Sequence, residues 1–248
     1  MTRLILTLTL VLAAQFAPAP VRGAAPDPQK VIEQADDIRF PRQSFQVAIK
    51  VTTLSKGKQK DVHEYQVLQK GRDSTIVRTT APASEKGQVM LLRGADLWLF
   101  LPSVSQPVRL PLSQRLTGQV ANGDLARANF SGDYNATLVR TEQLDGREAH
   151  VLELKAARKG VTYGRVLYWV EARSMRPLKA EFYTLSKRLM KVGLYQEYKT
   201  LGGAVRPTRL VLSDPLHADE QSVLEYSGLK MRELPDKFFT KDFLRKLD

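Results

Sequence analysis

Three histidines are the side chains best suited to acid–base or metal chemistry in this 248-residue chain. His63, His150 and His217 lie far apart, and none is beside a nucleophile or a metal-ligand pattern. The pair His63-Glu64 falls in an alternating segment, where consecutive side chains of a strand point to opposite faces. We therefore expect each histidine to be a surface or packing residue rather than a catalytic one.

Sequence motifs of catalysis and cofactor binding do not occur either. The chain has no G-x-S-x-G, no H-E-x-x-H, no phosphate-binding loop and no dinucleotide-binding glycine motif. It has no cysteine, which excludes disulfides, thiolate metal sites and a cysteine nucleophile. Asp36 and Asp37 are adjacent carboxylates, but they lie on a predicted helix and are expected to face solvent. The sequence therefore predicts a protein that is not an enzyme and has no catalytic residue, metal or cofactor.

Two strand-like segments instead suggest noncovalent binding, because they are apolar on both faces. These segments are Leu97 to Leu101 (LWLFL) and Val166 to Val170 (VLYWV). A strand with one face in water alternates strictly, so two-sided apolar strands need cover on both sides. Packing of another sheet and a helix would provide that cover. An apolar cavity on the concave side of a curved sheet, closed by helices, would also provide it and could hold a chain-like ligand.

The predicted cavity wall consists of large apolar side chains on such strands. Tyr168 shares a face with Val166 and Val170, and methionine adds deformable apolar surface. The predicted lining residues are Trp98, Phe100, Tyr168, Phe182, Met190 and Leu194. Leu97, Leu99 and Trp169 lie on the opposite faces of these strands, and they are the alternative set of inward residues.

The elements that must position these residues are strands at meander spacing. A short helix is predicted from Asp27 to Phe40, and a terminal helix is predicted from Thr240 to Leu247. Lys56-Gly57-Lys58 and Asp145-Gly146 are hairpin signals. Residues 102–136 interrupt the strand pattern, with short helices expected at 112–116 and 123–128. The pattern predicts a mainly β fold with a few helices: one large antiparallel sheet in a single domain, residues 24–248.

The first residues predict export. Leu4 to Ala17 is an apolar run of signal-peptide length after the positive charge of Arg3. Cleavage is expected after Gly23, because Val21 and Gly23 fit the small-residue rule, so residues 1–23 would be the signal peptide. An uncleaved N-terminal anchor is the alternative. Together with the lack of cysteine, this predicts a bacterial periplasmic protein.

The net charge of +12 predicts anionic partners, and it falls to +10 when Arg3 and Arg22 leave with the signal peptide. The positive residues are spread along the chain rather than gathered in one block, which argues against nucleic acid. Transient contact with an anionic membrane surface and an ordinary solvated basic surface both remain open.

Three stretches of the chain form a recognisable set: GQVMLLRGADLWLFLPSVSQPVRLPLSQRLTG from Gly87, NGDLARANFSGDY from Asn122, and LPDKFFTKDFLRKL from Leu234. They resemble the periplasmic lipoprotein carriers of the LolA/LolB type, in particular the branch known as outer-membrane lipoprotein-sorting proteins. The resemblance covers most of the mature chain. It implies a strongly curved antiparallel sheet that forms an unclosed barrel, with helices covering its mouth and a cavity for acyl chains.

The same resemblance implies a lid and rim formed by residues 102–136. The carriers use an arginine to help hold the lid, and Arg109 or Arg115 could serve here. The membrane-anchored receptors of this type carry a lipidated N-terminal cysteine, which this chain lacks, so a soluble shuttle fits better.

The leading hypothesis is a monomeric carrier that moves a lipid or lipoprotein between the inner and outer membranes. An accessory or docking subunit of an inner-membrane exporter is the first alternative. An envelope lipid-modifying enzyme is the second, and a cluster of titratable groups inside the cavity would support it.

Overall fold

The structure is a computed structural model that describes residues 25–127, 129–217 and 219–244. The predicted signal peptide, residues 1–23, lies outside these ranges, as does Leu247 of the predicted terminal helix. Within the described residues, no helix is long and apolar enough to cross a bilayer.

The first helix, α1 (Pro28–Arg39), forms where its N-terminal residues predict it. The Asp27 carboxylate accepts a hydrogen bond from the Gln29 N–H at 2.9 Å, and Pro28 occupies the first turn. Val31, Ile32 and Ala35 are buried on one side of the helix, so α1 lies against the sheet rather than in solvent.

In the described part of the chain, thirteen antiparallel strands form one sheet, as the meander spacing predicts. The first six are β1 (Phe45–Ser55), β2 (Lys58–Lys70), β3 (Ser74–Ala81), β4 (Val89–Arg93), β5 (Asp96–Phe100) and β6 (Val108–Leu110). Two short strands, β7 (Arg115–Thr117) and β8 (Val120–Ala121), pair separately. The remaining seven are β9 (Tyr134–Leu144), β10 (Arg147–Ala156), β11 (Arg165–Glu171), β12 (Pro177–Tyr183), β13 (Leu189–Leu201), β14 (Ala204–Ser213) and β15 (Glu220–Met231).

The sheet is curved but not closed into a barrel. Its order is β6-β5-β4-β3-β2-β1-β15-β14-β13-β12-β11-β10-β9, so β6 and β9 are the two edges. One hydrophobic cluster nevertheless joins Leu97 on β5 to Leu154 on β10, which lie near opposite edges. The face that carries this cluster is named the inner face. The mainly β, unclosed antiparallel fold predicted from the sequence is confirmed.

The hairpin signals are also confirmed by the turns. Lys56 and Gly57 adopt φ values of 51° and 71°, and Asp145 and Gly146 adopt 50° and 75°. Left-handed conformations at both central residues match the right-handed twist of the flanking strands, which is why these dipeptides predict hairpins.

Residues 111–127 and 129–134, named the crossing segment, run over the inner face. Within it, α2 (Asn122–Ala126) lies where a short helix was predicted. The helix predicted at 112–116 is wrong, since Arg115 begins strand β7. Leu112, Leu125 and Phe130 are buried in the main cluster, so this segment and α1 together cover the inner face.

The C-terminal residues cover the other side of the sheet, named the outer face. A 3-10 helix (Asp236–Phe239) precedes α3 (Lys241–Leu244). Leu234, Phe239 and Leu244 pack in a second cluster with outward side chains of β3, β4 and β5. This cover explains why LWLFL is apolar on both faces.

Strand β9 is a free edge that α1 partly occupies. The Gln29 side chain donates to the Tyr134 carbonyl oxygen at 3.4 Å and accepts from the Ala136 N–H at 3.2 Å. One side-chain amide thus bonds to the edge as a neighbouring backbone would.

Candidate functional site

The centre of the inner face is a group of aromatic rings. Tyr168 on β11 and Phe182 on β12 are both almost fully buried. The Phe130 ring of the crossing segment lies 5.0 Å from the Tyr168 ring in an edge-to-face arrangement, and Tyr163 lies 4.5 Å from Phe182. The crossing segment therefore packs on these rings through aromatic contacts.

Trp98 and Phe100 lie on the outer face, away from Tyr168 and Phe182. They belong to the cluster beneath the C-terminal segment, and the Lys241 ammonium lies 3.2 Å from the centre of the Trp98 ring. Leu97, which is 1% exposed, faces inward instead. The prediction that these four aromatic residues line one wall is therefore wrong. On β5 the inward residues are the alternative set that includes Leu97.

The parity predicted for β13 is also reversed. Met190 and Leu194 are 37% and 39% exposed, whereas Lys191, Gly193 and Tyr195 face inward and are buried. Gly193 supplies the physical reason, because a Cβ there would lie 3.2 Å from both Phe182 and Leu212. Met190 lies at the rim of the inner face, where it borders two openings.

The two predicted lid arginines separate in the structure. Arg109 on β6 pairs with Asp96 and lies 6.0 Å from the Trp98 ring, so it belongs to the sheet edge on the outer side. Arg115 lies exposed on β7 in the crossing segment and lines the smaller opening. Of the two, only Arg115 has a position suited to a rim.

Lys191 connects the sheet to the crossing segment. Its ammonium donates to Asp124 Oδ2 at 2.5 Å and to the Gln119 carbonyl oxygen at 2.7 Å. The Tyr163 hydroxyl donates to Asp124 Oδ1 at 2.6 Å. Burial lowers the pKa of Lys191 and raises that of Tyr163. The ion pair between the Lys191 ammonium and the Asp124 carboxylate is named the Lys191–Asp124 contact.

A second polar group joins α1 to the crossing segment. Asp36, predicted to face solvent, is 3% exposed. Its carboxylate accepts hydrogen bonds from the N–H groups of Phe130 and Ser131 at 2.9 and 2.7 Å, and from the Ser131 hydroxyl at 2.6 Å. The Arg39 guanidinium lies 3.6 Å from Asp36 and 5.1 Å from the Phe130 ring. The prediction that Asp36 faces solvent is therefore wrong, because these partners replace water around its buried charge.

A third ionic group closes the crossing segment near β9. Asp133 is 3% exposed and accepts hydrogen bonds from two arginines, Arg127 and Arg158. Because Arg158 lies on the loop between β10 and β11, this carboxylate ties the end of the crossing segment to the sheet. Charge-assisted bonds of this kind are stronger than neutral ones.

The space at the inner face is unevenly distributed. Beneath the crossing segment, among Arg39, Phe130, Tyr163 and Phe182, the void is only about 20 Å³. At the rim, a cleft of about 850 Å³ opens between residues 156–164 and residues 184–186, with Met190 at its edge. An adjoining opening of about 160 Å³ reaches Lys191 and shares Tyr163 and Met190 with the cleft.

Within the described ranges, no group of three His, Cys, Asp or Glu side chains that could hold a metal ion occurs. His63 is buried, and its Nδ1 lies 3.3 Å from the hydroxyl oxygen of Thr117 in the crossing segment. Its Nε2 lies 3.4 Å from Glu85 Oε1. The His63 ring thus joins β2 to the crossing segment through Thr117.

Sequence reasoning missed the ionic contacts that hold the crossing segment. Lys191 and Asp124 are 67 positions apart, and Asp36 and Ser131 are 95 apart. No local pattern marks such pairs. The one available signal was Gly193 between Lys191 and Tyr195, since a glycine inside a strand indicates a close approach on that face.

Comparison with known proteins places this fold in a family. The profile of a family described as uncharacterized-protein-like matches residues 71–246. No curated protein matches the chain. The crystal structure of a LolA superfamily protein from Nitrosomonas europaea is 52% identical, with a TM-score of 0.84 over 88% of this chain and 100% of that chain.

Two more distant structures share the fold alone. A DUF1329 family protein from Desulfovibrio piger is 22% identical, with a TM-score of 0.72 over 87% of this chain and 97% of its own. An outer membrane lipoprotein-sorting protein domain from Vibrio parahaemolyticus is 19% identical, with a TM-score of 0.73 over 88% and 98%. The 52% identity over the whole length of the Nitrosomonas protein shows that this chain belongs to the LolA superfamily.

Proposed function

We propose that the protein is a non-enzymatic carrier that binds the acyl chains of a lipid or lipoprotein and moves it between the inner and outer membranes. In this proposal the chain is exported, cut after Gly23 and monomeric in the periplasm. One observation carries the proposal. The crossing segment covers an aromatic inner face, polar contacts hold it there, and an open cleft lies beside it.

The binding site proposed here is the inner face itself. In this proposal Tyr168 and Phe182, which the sequence also suggested as lining residues, form its floor, while Trp98, Phe100 and Leu194 are assigned to the outer face. Met190 is assigned to the entrance. A void of about 20 Å³ accommodates roughly one water, so an acyl chain can enter only if the crossing segment moves.

The cleft provides the first contact for such a chain. Its volume of about 850 Å³ falls within the usual size of ligand pockets, about 300–1,000 Å³. Its walls include Val161, Tyr163 and Met190, and Tyr163 is also in contact with Phe182 on the inner face. An acyl chain lying in the cleft would therefore touch the residue that holds Asp124.

Opening the crossing segment costs free energy, which a bound acyl chain must offset. It separates the Lys191–Asp124 contact, the hydrogen bonds of Asp36 to Ser131 and the contact of Asp133 with Arg158. Burial of each methylene contributes ~0.8 kcal/mol, so about ten methylenes contribute ~8 kcal/mol. Because this contribution grows with chain length, a long acyl chain offsets more of the cost of opening than a short one, which favours a carrier that stays closed when empty.

A removable disulfide tests whether ligand enters beneath the crossing segment. A Cβ at Gly123 in α2 would lie 2.9 Å from the Cβ of Thr162 in loop 157–164. Disulfides need about 3.5–4.5 Å between these atoms, so the double variant Gly123→Cys/Thr162→Cys needs a shift of less than ~1 Å to form one. The natural chain has no cysteine, so the bond would be unique.

Uptake of a fluorescent long-chain fatty acid would be measured on this variant before and after reduction. We expect the oxidised form to take up the probe at least tenfold more slowly than the reduced form. The wild type under the same oxidant and the single variant Thr162→Cys are the controls. Equal uptake by the oxidised and reduced forms would contradict entry beneath the crossing segment.

A further inference from the structure

The end of the sheet that carries the cleft also exposes leucines on its connecting loops. Leu185, between β12 and β13, is 88% exposed, and Leu216, between β14 and β15, is 73% exposed. Met190 borders both openings at the same end and is 37% exposed. Single exposed leucines are common, but these two add apolar surface beside the two openings at the same end of the sheet.

The strand register places these loops together. Tyr183 pairs with both Arg165 and Leu189, so the β10–β11 loop and the β12–β13 loop are neighbours. Contact between them is close, because a Cβ at Gly164 would lie 2.8 Å from a methyl group of Leu185. Leu216 lines the smaller opening together with Met190. Residues 156–164, 184–190 and 214–217, with Arg115, are named the loop end.

Positive charge surrounds the exposed leucines of the loop end. Four exposed basic residues contribute it: Arg115, Lys159, Lys187 and Arg188. Within the part of the chain that the structure describes, no ion pair joins any of these four to a carboxylate. Asp214 at this end already accepts from the Leu216 N–H at 2.8 Å and lies 3.2 Å from His217 Nδ1. The loop end thus combines protruding apolar tips with uncompensated cations.

We propose that the loop end docks on the surface of an anionic phospholipid bilayer. Leucine side chains enter the boundary between headgroups and acyl chains, while lysine and arginine contact lipid phosphates. Cations spread around the leucines match a continuous negative surface better than a single carboxylate on a protein. Docking in this orientation brings the mouth of the cleft to the lipid, and in that sense the inference rests on the proposed carrier function.

Cosedimentation of the full chain with vesicles tests the docking surface. One set of vesicles contains phosphatidylglycerol and phosphatidylethanolamine, and the other contains phosphatidylcholine alone. We expect the wild type to bind the anionic vesicles at least tenfold more strongly, and to lose at least fivefold of this binding at high salt.

Two double variants probe the two kinds of contact. Leu185→Ser/Leu216→Ser removes the apolar tips, and Lys187→Glu/Arg188→Glu reverses the charge. Each is expected to weaken binding to anionic vesicles at least fivefold. Matched controls at the opposite end of the sheet are Val205→Ser, at a position that is 44% exposed, and Lys199→Glu/Lys230→Glu, which changes the net charge equally. The controls are expected to bind within twofold of the wild type.

Equal losses in the loop-end variants and the controls would overturn the proposal. Equal binding of the wild type to anionic and neutral vesicles would also overturn it. A protein partner would then be the better explanation of the loop end. Uptake of the fatty-acid probe in vesicle-free solution is measured on the same variants. Vesicle binding without probe uptake would reject the carrier function and retain the docking surface, while the reverse would reject docking alone.

Discussion

The ammonium of Lys191 on the sheet lies 2.5 Å from the Asp124 carboxylate on the crossing segment, in a buried position. We predict that Lys191→Met destabilises the protein by about 3–5 kcal/mol, because Asp124 keeps a buried charge without its counter-ion. Urea unfolding followed by circular dichroism measures the change. Addition of Asp124→Asn should recover part of the loss and accelerate uptake of the fatty-acid probe.

Lys179→Met is the matched control for this prediction. Lys179 pairs with Glu181 at 2.7 Å on the outer face, where both side chains are partly exposed. Loss of that pair, and of the contact between the Lys179 ammonium and the Trp169 ring centre 4.5 Å away, should cost less than the loss of the buried Lys191 ammonium. A loss for Lys191→Met as small as the one for Lys179→Met would show that the contact does not hold the crossing segment.

Phe100 and Phe182 form a second pair for comparison, since both are buried but on opposite faces. Either residue changed to alanine should lose ~3–5 kcal/mol of unfolding free energy. Only Phe182→Ala is expected to alter uptake of the fatty-acid probe, because only Phe182 lies beneath the crossing segment. Phe100→Ala should instead expose the C-terminal segment to proteolysis. Equal effects of both variants on uptake would contradict the division between faces.

Alkaline pH is expected to unfold the protein. Burial raises the pKa of all eight tyrosines. In the unfolded chain the phenols ionise near pH 10, so above that pH the unfolded state binds fewer protons than the folded state. Stability is therefore present below about pH 10 and falls as the pH rises, by ~1.4 kcal/mol per pH unit for each tyrosine held protonated.

Phenolate absorbance and urea unfolding across this pH range check the prediction. Tyr168→Phe should make the fall in stability shallower by the contribution of one proton. Ionisation of the folded protein's tyrosines near pH 10, without loss of circular dichroism, would contradict it.

The two arginines that share Asp133 give a further prediction. Asp133→Asn should cost about 3–5 kcal/mol, because the nearly buried Arg127 loses its counter-ion. Differential scanning calorimetry measures the change. Asp96→Asn removes the partner of exposed Arg109 and should change stability by less than ~1 kcal/mol. Similar melting temperatures for the two variants would show that Asp133 is not a structural anchor.

The sequence predicted the strands and hairpins well because their signals are local. Alternation in β1 and the Asp145-Gly146 turn each depend on a few neighbouring residues. The curvature of the sheet and its cover of helices were one of two explanations for the two-sided apolar strands, and the resemblance to carriers favoured it.

Local signals could not predict which side chains of β5 and β13 face inward. LWLFL is apolar on both faces, so the choice between Leu97 and Trp98 depends on a C-terminal segment more than 130 residues away. Placing Met190 and Leu194 inward implied that Lys191 faces solvent, and nothing near it in the sequence indicated its partner Asp124. Ionic contacts of this kind are fixed by the folded arrangement and leave no local pattern.

The hydrogen bonds of Gln29 to the edge strand β9 have a consequence for self-association. A free edge can add the strand of a second molecule and so begin an ordered polymer. The Gln29 amide occupies the Tyr134 carbonyl and the Ala136 N–H, the groups that such a strand would need at the start of β9. Further along the edge, Arg140 and Glu142 add charges that an incoming strand would have to accommodate. Gln29, on a helix that covers the inner face, thus also opposes self-association through the edge strand.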